Sequence, residues 1–117
     1  MFSTKLDGTI TISETSILSL IKSFTFTDNA VTDFEFYDSY SIADAVSNAP
    51  LNFGRITTVK YIYIESDKNI TIKLDSTGNT AIKVYNLLLI ATSTTAIYIS
   101  NNSGSTANLK IILAGTV

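Results

Sequence analysis

The chain of 117 residues contains no histidine and no cysteine. Without histidine there is no Ser-His-Asp or Cys-His arrangement, no imidazole ligand and no ordinary proton shuttle near neutral pH, which removes most enzyme classes. Without cysteine there is neither a disulfide framework nor a thiolate site, so stability must come from packing. Charge is sparse as well: 15% of the residues are charged, the net charge is −2, and the eight basic residues are scattered singly. Such a surface has no electrostatic attraction for phosphate backbones or anionic lipid, so neither nucleic acid nor membrane is expected as a partner. The longest uninterrupted apolar run, residues 87–91, falls far below the roughly 20 residues that span a bilayer. No basic region leads into an apolar one after Met1, so no secretory signal is expected. The five glycines form no phosphate-cradling loop, and Pro50 is the single proline.

What the sequence has in quantity is β-branched and apolar residues: 45% is hydrophobic, and the length suits one domain with one core. From residue 57 to residue 115 the chain reads as successive short strands, each closed by Ser, Asp, Asn or Gly. The clearest places Ile70, Ile72 and Leu74 on one face and Thr71, Lys73 and Asp75 on the other. In the strand before it, Val59, Tyr61 and Tyr63 oppose Lys60, Ile62 and Ile64. Apolar bulk on both sides predicts a central strand covered on both faces, or a tyrosine face buried in a subunit contact. Residues 75–79, 92–94 and 101–105 read as turns.

The first half is less regular. Residues 1–12 alternate weakly around Gly8 and predict an N-terminal arm or an edge strand, with residues 13–117 forming a single β-sandwich domain. Residues 13–26 fit both helical and strand spacing; the Phe24 to Thr27 end and the four Ser and Thr residues at 13, 15, 16 and 19 favour strand, followed by a turn at Asp28 and Asn29. In 31–37, Phe34 and Phe36 alternate with Asp33 and Glu35, which predicts a strand with both rings in the core. Residues 41–49 are the one expected helix, on the capping-box spacing of Ser41 and Asp44 and the shared face of Ile42, Ala45, Val46 and Ala49, ended by Pro50. The expected fold is therefore all-β: an antiparallel β-sandwich, jelly-roll-like, with at most one short helix.

Candidate chemistry is thin. Asp28, Asp33, Glu35 and Asp38 are close in sequence and are candidates for a glycosidase carboxylate pair or a calcium site. Lacking calcium-loop spacing, they read better as a solvated strand face with flanking turn acids, and no catalytic residue, metal or cofactor is expected. Tyr37, Tyr40, Tyr61, Tyr63, Tyr85 and Tyr98 suit either a sugar platform or half-buried sheet and interface positions; the second is the better reading. A possible subunit interface comprises Phe2, Leu6, Ile10 and Ile12 of the arm, which would add to another chain's sheet edge, with Tyr61 and Tyr63.

From Arg55 onward the sequence carries TTVKYIYIESDKNITIKLD, then the Leu-rich NLLLIAT, then TAIYISNNSGSTANLKIILAG. A strand ending in Glu-Ser-Asp, a Lys-containing strand, and an Asn-Asn-Ser-Gly turn feeding a strand that closes with Leu-Ala-Gly at 113–115 make this half resemble the C-terminal half of small jelly-roll virion proteins of tailed bacteriophages, including capsid decoration (auxiliary) proteins. The resemblance implies a non-enzymatic structural protein that assembles in many copies, as a homotrimer, on the major capsid or another virion protein. Its place would be the virion, assembled in the host cytoplasm. The matched positions are strands and turns, so no functional residue is carried over, and a tail, collar or fibre component or a carbohydrate- or receptor-binding sandwich module stays open.

Overall fold

The computed structural model describes residues 4–13 and 19–117. Ten strands follow one another: β1 (Thr4–Ser13), β2 (Ser19–Asp28), β3 (Asp33–Ile42), β4 (Val46–Pro50), β5 (Thr58–Ser66), β6 (Ile70–Leu74), β7 (Ile82–Val84), β8 (Leu87–Thr94), β9 (Ile97–Asn101) and β10 (Ala107–Thr116). The last eight form two four-stranded antiparallel sheets, ordered β3-β10-β5-β8 and β4-β9-β6-β7. Counted from β3, these orders are first-eighth-third-sixth and second-seventh-fourth-fifth, the interleaved double Greek key of a jelly roll. The fold is thus an all-β sandwich, and the described residues contain no helix.

Between the sheets lies a core rich in isoleucine. Ile62 and Ile64 of β5, Leu109, Ile111 and Leu113 of β10, Ile70 and Ile72 of β6, and Ile97 and Ile99 of β9 are all fully buried. Alternation makes this possible, since every second residue of a strand points inward. Each such side chain contributes roughly 1.5–3 kcal/mol through area removed from water. Leu51, Phe53 and Ile56 close one end of the core from the β4–β5 connection, whose Leu51 N–H donates to the Ile97 carbonyl at 2.9 Å.

β1 and β2 stand apart as a two-stranded antiparallel hairpin, paired from Thr4↔Asp28 to Ser13↔Ser19. From Thr4 onward the expected arm thus has one edge taken by β2, and the turn expected at Asp28 and Asn29 is where the chain leaves the hairpin for the sandwich. The Phe24 ring lies over Gly8, where an added Cβ would meet Cζ at 2.8 Å. This ring-over-glycine packing supports a strand at a residue with no side chain of its own. The radius of gyration is 15.6 Å, against about 13 Å for a compact domain of this length.

Four sequence expectations need correction. Residues 41–49 form no helix: β3 runs through Ile42, which is buried, and β4 begins at Val46. Ala45 (φ 67°) and Asn48 (φ 53°) are left-handed, and a right-handed helix cannot hold such residues. The Asp44 carboxylate, expected as part of a helix cap, instead accepts the Gly104 N–H at 2.9 Å, 60 residues away. Phe34 and Phe36 are not core residues; both are 54% exposed on the outer face. Alternation separates the two faces of a strand but does not say which is inward. Pairing settles it, because Ala114 and Ile112 lie opposite Phe34 and Phe36, and Ile112 sits between the inward Ile111 and Leu113. Val59 does not share the face of Tyr61 and Tyr63: a bulge between Val59 and Tyr61 turns Val59 into the core. Residues 92–94 finish β8 instead of forming a turn, and the chain reverses at Thr95 and Ala96.

Candidate assembly surface

The outer face of the β3-β10-β5-β8 sheet is built from the residues that alternate with the core. Its register sets Phe36 opposite Ile112, Ile112 opposite Tyr63, and Tyr63 opposite Leu89, so one apolar row crosses all four strands. A parallel row of Ala114, Tyr61 and Ala91 lies beside it. Ile112 and Leu89 are each 41% exposed, and Leu87 extends the patch to the start of β8. β5, β8 and β10 each carry consecutive apolar residues, which leaves a bulky side chain on the outside whichever way the strand alternates.

The hairpin reaches over this face. Between them lies a cavity of about 670 Å³, lined by Gly8, Ile10 and Phe24 of the hairpin and by Tyr61, Tyr63, Leu87, Leu89 and Ile112 of the sheet, among others. The Tyr61 hydroxyl donates to Asp28 Oδ2 at 2.7 Å, tying the root of the hairpin to the sheet. Asp28 also accepts the Ala30 N–H at 2.8 Å. Beside it, the Tyr63 hydroxyl donates to Glu65 Oε1. These bonds hold the Asp28 carboxyl below its ordinary pKa and, as donors to carboxylates, raise both tyrosines above theirs.

Of the residues expected at an interface, the cavity wall brings together Ile10, Tyr61 and Tyr63. Leu6 and Ile12 take their places in β1 opposite Phe26 and Leu20; Phe2 lies outside the described residues. Phe36, Leu87, Leu89 and Ile112 were missed, although the runs 87–91 and 111–114, apolar at both strand parities, are their signal in the sequence. The tyrosines divide. Tyr37 and Tyr40 pack edge to face, with centroids 5.4 Å apart, against the core, and the Tyr37 hydroxyl donates to the Asn52 carbonyl. Tyr85 is exposed on the loop before β8.

Of the four acids singled out in the sequence, Asp28, Asp33 and Glu35 have separate surroundings, and Asp38 is exposed on β3. Asp33 accepts the Phe34 N–H and lies 3.8 Å from Arg55 Nε, while the Glu35 side chain packs on Gly54. Among the described residues no three His, Cys, Asp or Glu are grouped to hold a metal ion. Two further carboxylates act as loop staples. Asp67 accepts the backbone and side-chain amides of Asn108 (2.8 and 3.1 Å), and Asp75 accepts the Thr95 N–H and the Thr94 hydroxyl (3.0 and 2.8 Å). Both pKa values are lowered, chiefly by these backbone N–H donors.

The sign of the pH dependence follows. Asp28, Asp67 and Asp75 bind protons less readily folded than unfolded, so their contribution is present above the unfolded carboxylate pKa of about 3.9 and is lost as pH falls through the lowered folded values. Melting temperature should be level from about pH 5 to 7 and fall on further acidification. Asp67→Asn and Asp75→Asn should each flatten that acid limb, Asn being well suited to the left-handed conformation of residue 75 (φ 69°). Melts of wild type and variants between pH 2.5 and 7 check this; an acid limb that both substitutions leave unchanged would contradict it.

Comparison with known proteins gives no match among family models, curated proteins or solved structures.

Proposed function

We propose that this chain is a non-enzymatic structural protein of a tailed-bacteriophage particle, acting as a capsid decoration protein that binds in several copies and stabilises the head. The observation that carries the reading is the apolar row Phe36–Ile112–Tyr63–Leu89 on the outside of the sandwich, only partly roofed by the hairpin. A contiguous exposed patch of this kind marks a contact surface with protein. The scarcity of charge and the absence of histidine and cysteine agree with it. Self-association and docking on a major capsid protein would both use such a surface, and the resemblance of the C-terminal half to small jelly-roll virion proteins supplies the particle and the trimer.

Antibody raised against the chain tests the reading on particles purified by density gradient from a phage lysate of the source culture. Labelling of heads is the expected result. Labelling of tails or fibres would keep the structural role and move its place, and particles that bind no antibody would overturn it.

A further inference from the structure

Strand edges are where sheets recruit further strands, and natural proteins blunt them with charge, proline, bulges or brevity. Three of the four edge strands of this sandwich are blunted in these ways. β3 carries Asp33, Glu35 and Asp38; β4 has five residues, a bulge between Val46 and Ala49, and Pro50; β7 has three residues, one of them Lys83. β8 lacks three of these devices: Leu-Leu-Leu-Ile-Ala-Thr-Ser-Thr is eight residues long, without charge or proline, and its one irregularity against β5 falls between Ala91 and Thr94, leaving Leu87 to Ala91 regular. Among the described residues no strand pairs with its outer edge.

The direction of its free backbone groups follows from the ladder. The Ser66 N–H donates to the Asn86 carbonyl at 2.9 Å, so alternate residues, Leu88 and Ile90, exchange bonds with Ile64 and Ile62 of β5. Leu89 and Ala91 therefore turn their N–H and C=O groups to the open edge. The four-stranded sheet can accept a further strand there at no loss to its own ladder.

We infer that β8 pairs antiparallel with β8 of a second copy of this chain, joining two β3-β10-β5-β8 sheets into one eight-stranded sheet across a two-fold axis. The second copy is the occupant that the edges themselves select. Two copies meeting at β3 would set Asp33, Glu35 and Asp38 against one another, and β4 and β7 offer too little regular strand. β8 against β8 matches length to length, brings no charge, and sets the exposed Leu87 and Leu89 of one copy beside those of the other. The apolar row would then run across both subunits. Such a contact is isologous and closes at two copies. It rests on the reading of the chain as a self-assembling protein, but requires an even number of copies: a dimer, or trimers joined in pairs.

Sedimentation velocity of the purified protein, with Ala91→Pro and Ala91→Lys as edge variants and Phe36→Lys as an outer-face variant, tests the pairing. Proline at 91 removes only an N–H that faces the open edge, a position that edge strands tolerate, and lysine places like charges close together across the two-fold axis. The expected result is a wild-type dimer or hexamer, with association weakened at least tenfold in both edge variants at an unchanged far-UV spectrum. Should the edge variants fail to fold, hydrogen exchange on wild type decides: the Leu89 and Ala91 amides must become slower to exchange as concentration rises. A wild-type monomer or trimer overturns the pairing. So does association that survives both edge variants and is lost in Phe36→Lys, while head labelling by antibody would leave the proposed function standing.

Discussion

Replacing Asn101 by leucine is expected to lower stability by about 3–5 kcal/mol. The side chain is fully buried and uses every group it has. Nδ2 donates to the carbonyls of Ile42 and Ser105 at 2.9 and 2.8 Å, and Oδ1 accepts the Ser103 N–H at 3.1 Å. One amide thus joins the end of β3, the end of β9 and the turn before β10. Leucine fills similar volume but takes the partner from the Ile42 carbonyl and the Ser103 N–H, each costing about 1–3 kcal/mol when left without one, while the Ser105 carbonyl keeps only the Ser103 hydroxyl at 3.0 Å. A fall in melting temperature of roughly 10–20 °C is the expected readout. Asn101→Asp sharpens the test. Its carboxylate would face two carbonyl oxygens, so its folded pKa would rise above the unfolded value. Stability would then be highest below the unfolded pKa and be lost as pH rises through the folded one, opposite to the acid limb of the wild type. An Asn101→Asp variant no less stable than wild type at pH 7 would show that this bonding is incidental.

Gly115→Ala is expected to cost about 3 kcal/mol, at the upper end for overpacking, and about 10–15 °C in melting temperature. Gly115 lies where β10 slips against β5, at the register shift between Ala114 and Gly115. A Cβ there would run into the Thr58 carbonyl oxygen and come within 2.9 Å of the Ile56 Cγ2 methyl. The first obstacle is backbone, which no rotamer change can move. Relief would require β10 to retreat from its pairing with Thr58 and Val59 on one side and Asp33 on the other. Gly104 is the control. It has φ 89° and nothing within 4 Å of an added Cβ, so alanine there carries only the left-handed strain of about 1–2 kcal/mol. Equal losses at the two positions would argue against the close approach at residue 115.

The strand content of the second half was legible because Ile70, Ile72 and Leu74 alternate cleanly against Thr71 and Lys73, and because Ser, Asp, Asn and Gly fall at the reversals. The left-handed residues were not. Ala45 and Asn48 sit inside a passable helical pattern, and only pairing of Val46 and Ala49 with Asn101 and Ile99 overrides it. Phe34 and Phe36 mislead for a related reason: a ring signals burial on average, yet here the outer face is itself apolar, while Glu35 and Asp33 turn to the end of the sandwich near Gly54 and Arg55. Tyr61 and Tyr63 were recognisable as interface candidates from apolar bulk on both sides of β5. Leu89 and Ile112 were not singled out, since membership of the same face depends on register across four strands, which residues far apart in sequence do not reveal locally. Asn101 was visible as part of a turn, but its burial depends on Ile42, 59 residues earlier.

The position of β10 has a consequence for how the chain comes to be folded at all. β10 is a central strand, flanked by β3 and β5, and its partners range from Ile42 and Asp33 to Ser66 and Thr58. During synthesis β3, β5 and β8 emerge well before it, and β3 has no neighbour in its sheet until residues 107–116 arrive. β5 and β8 can pair beforehand, but the sheet closes only when β10 joins that pair to β3. Closing chain loops as long as that between Asp33 and Gly115 before any contact rewards them makes folding slow. Until then the uncharged β8 and the inward isoleucines stand open to other nascent chains, so the yield of native protein is set by a race between arrival of the last strand and aggregation.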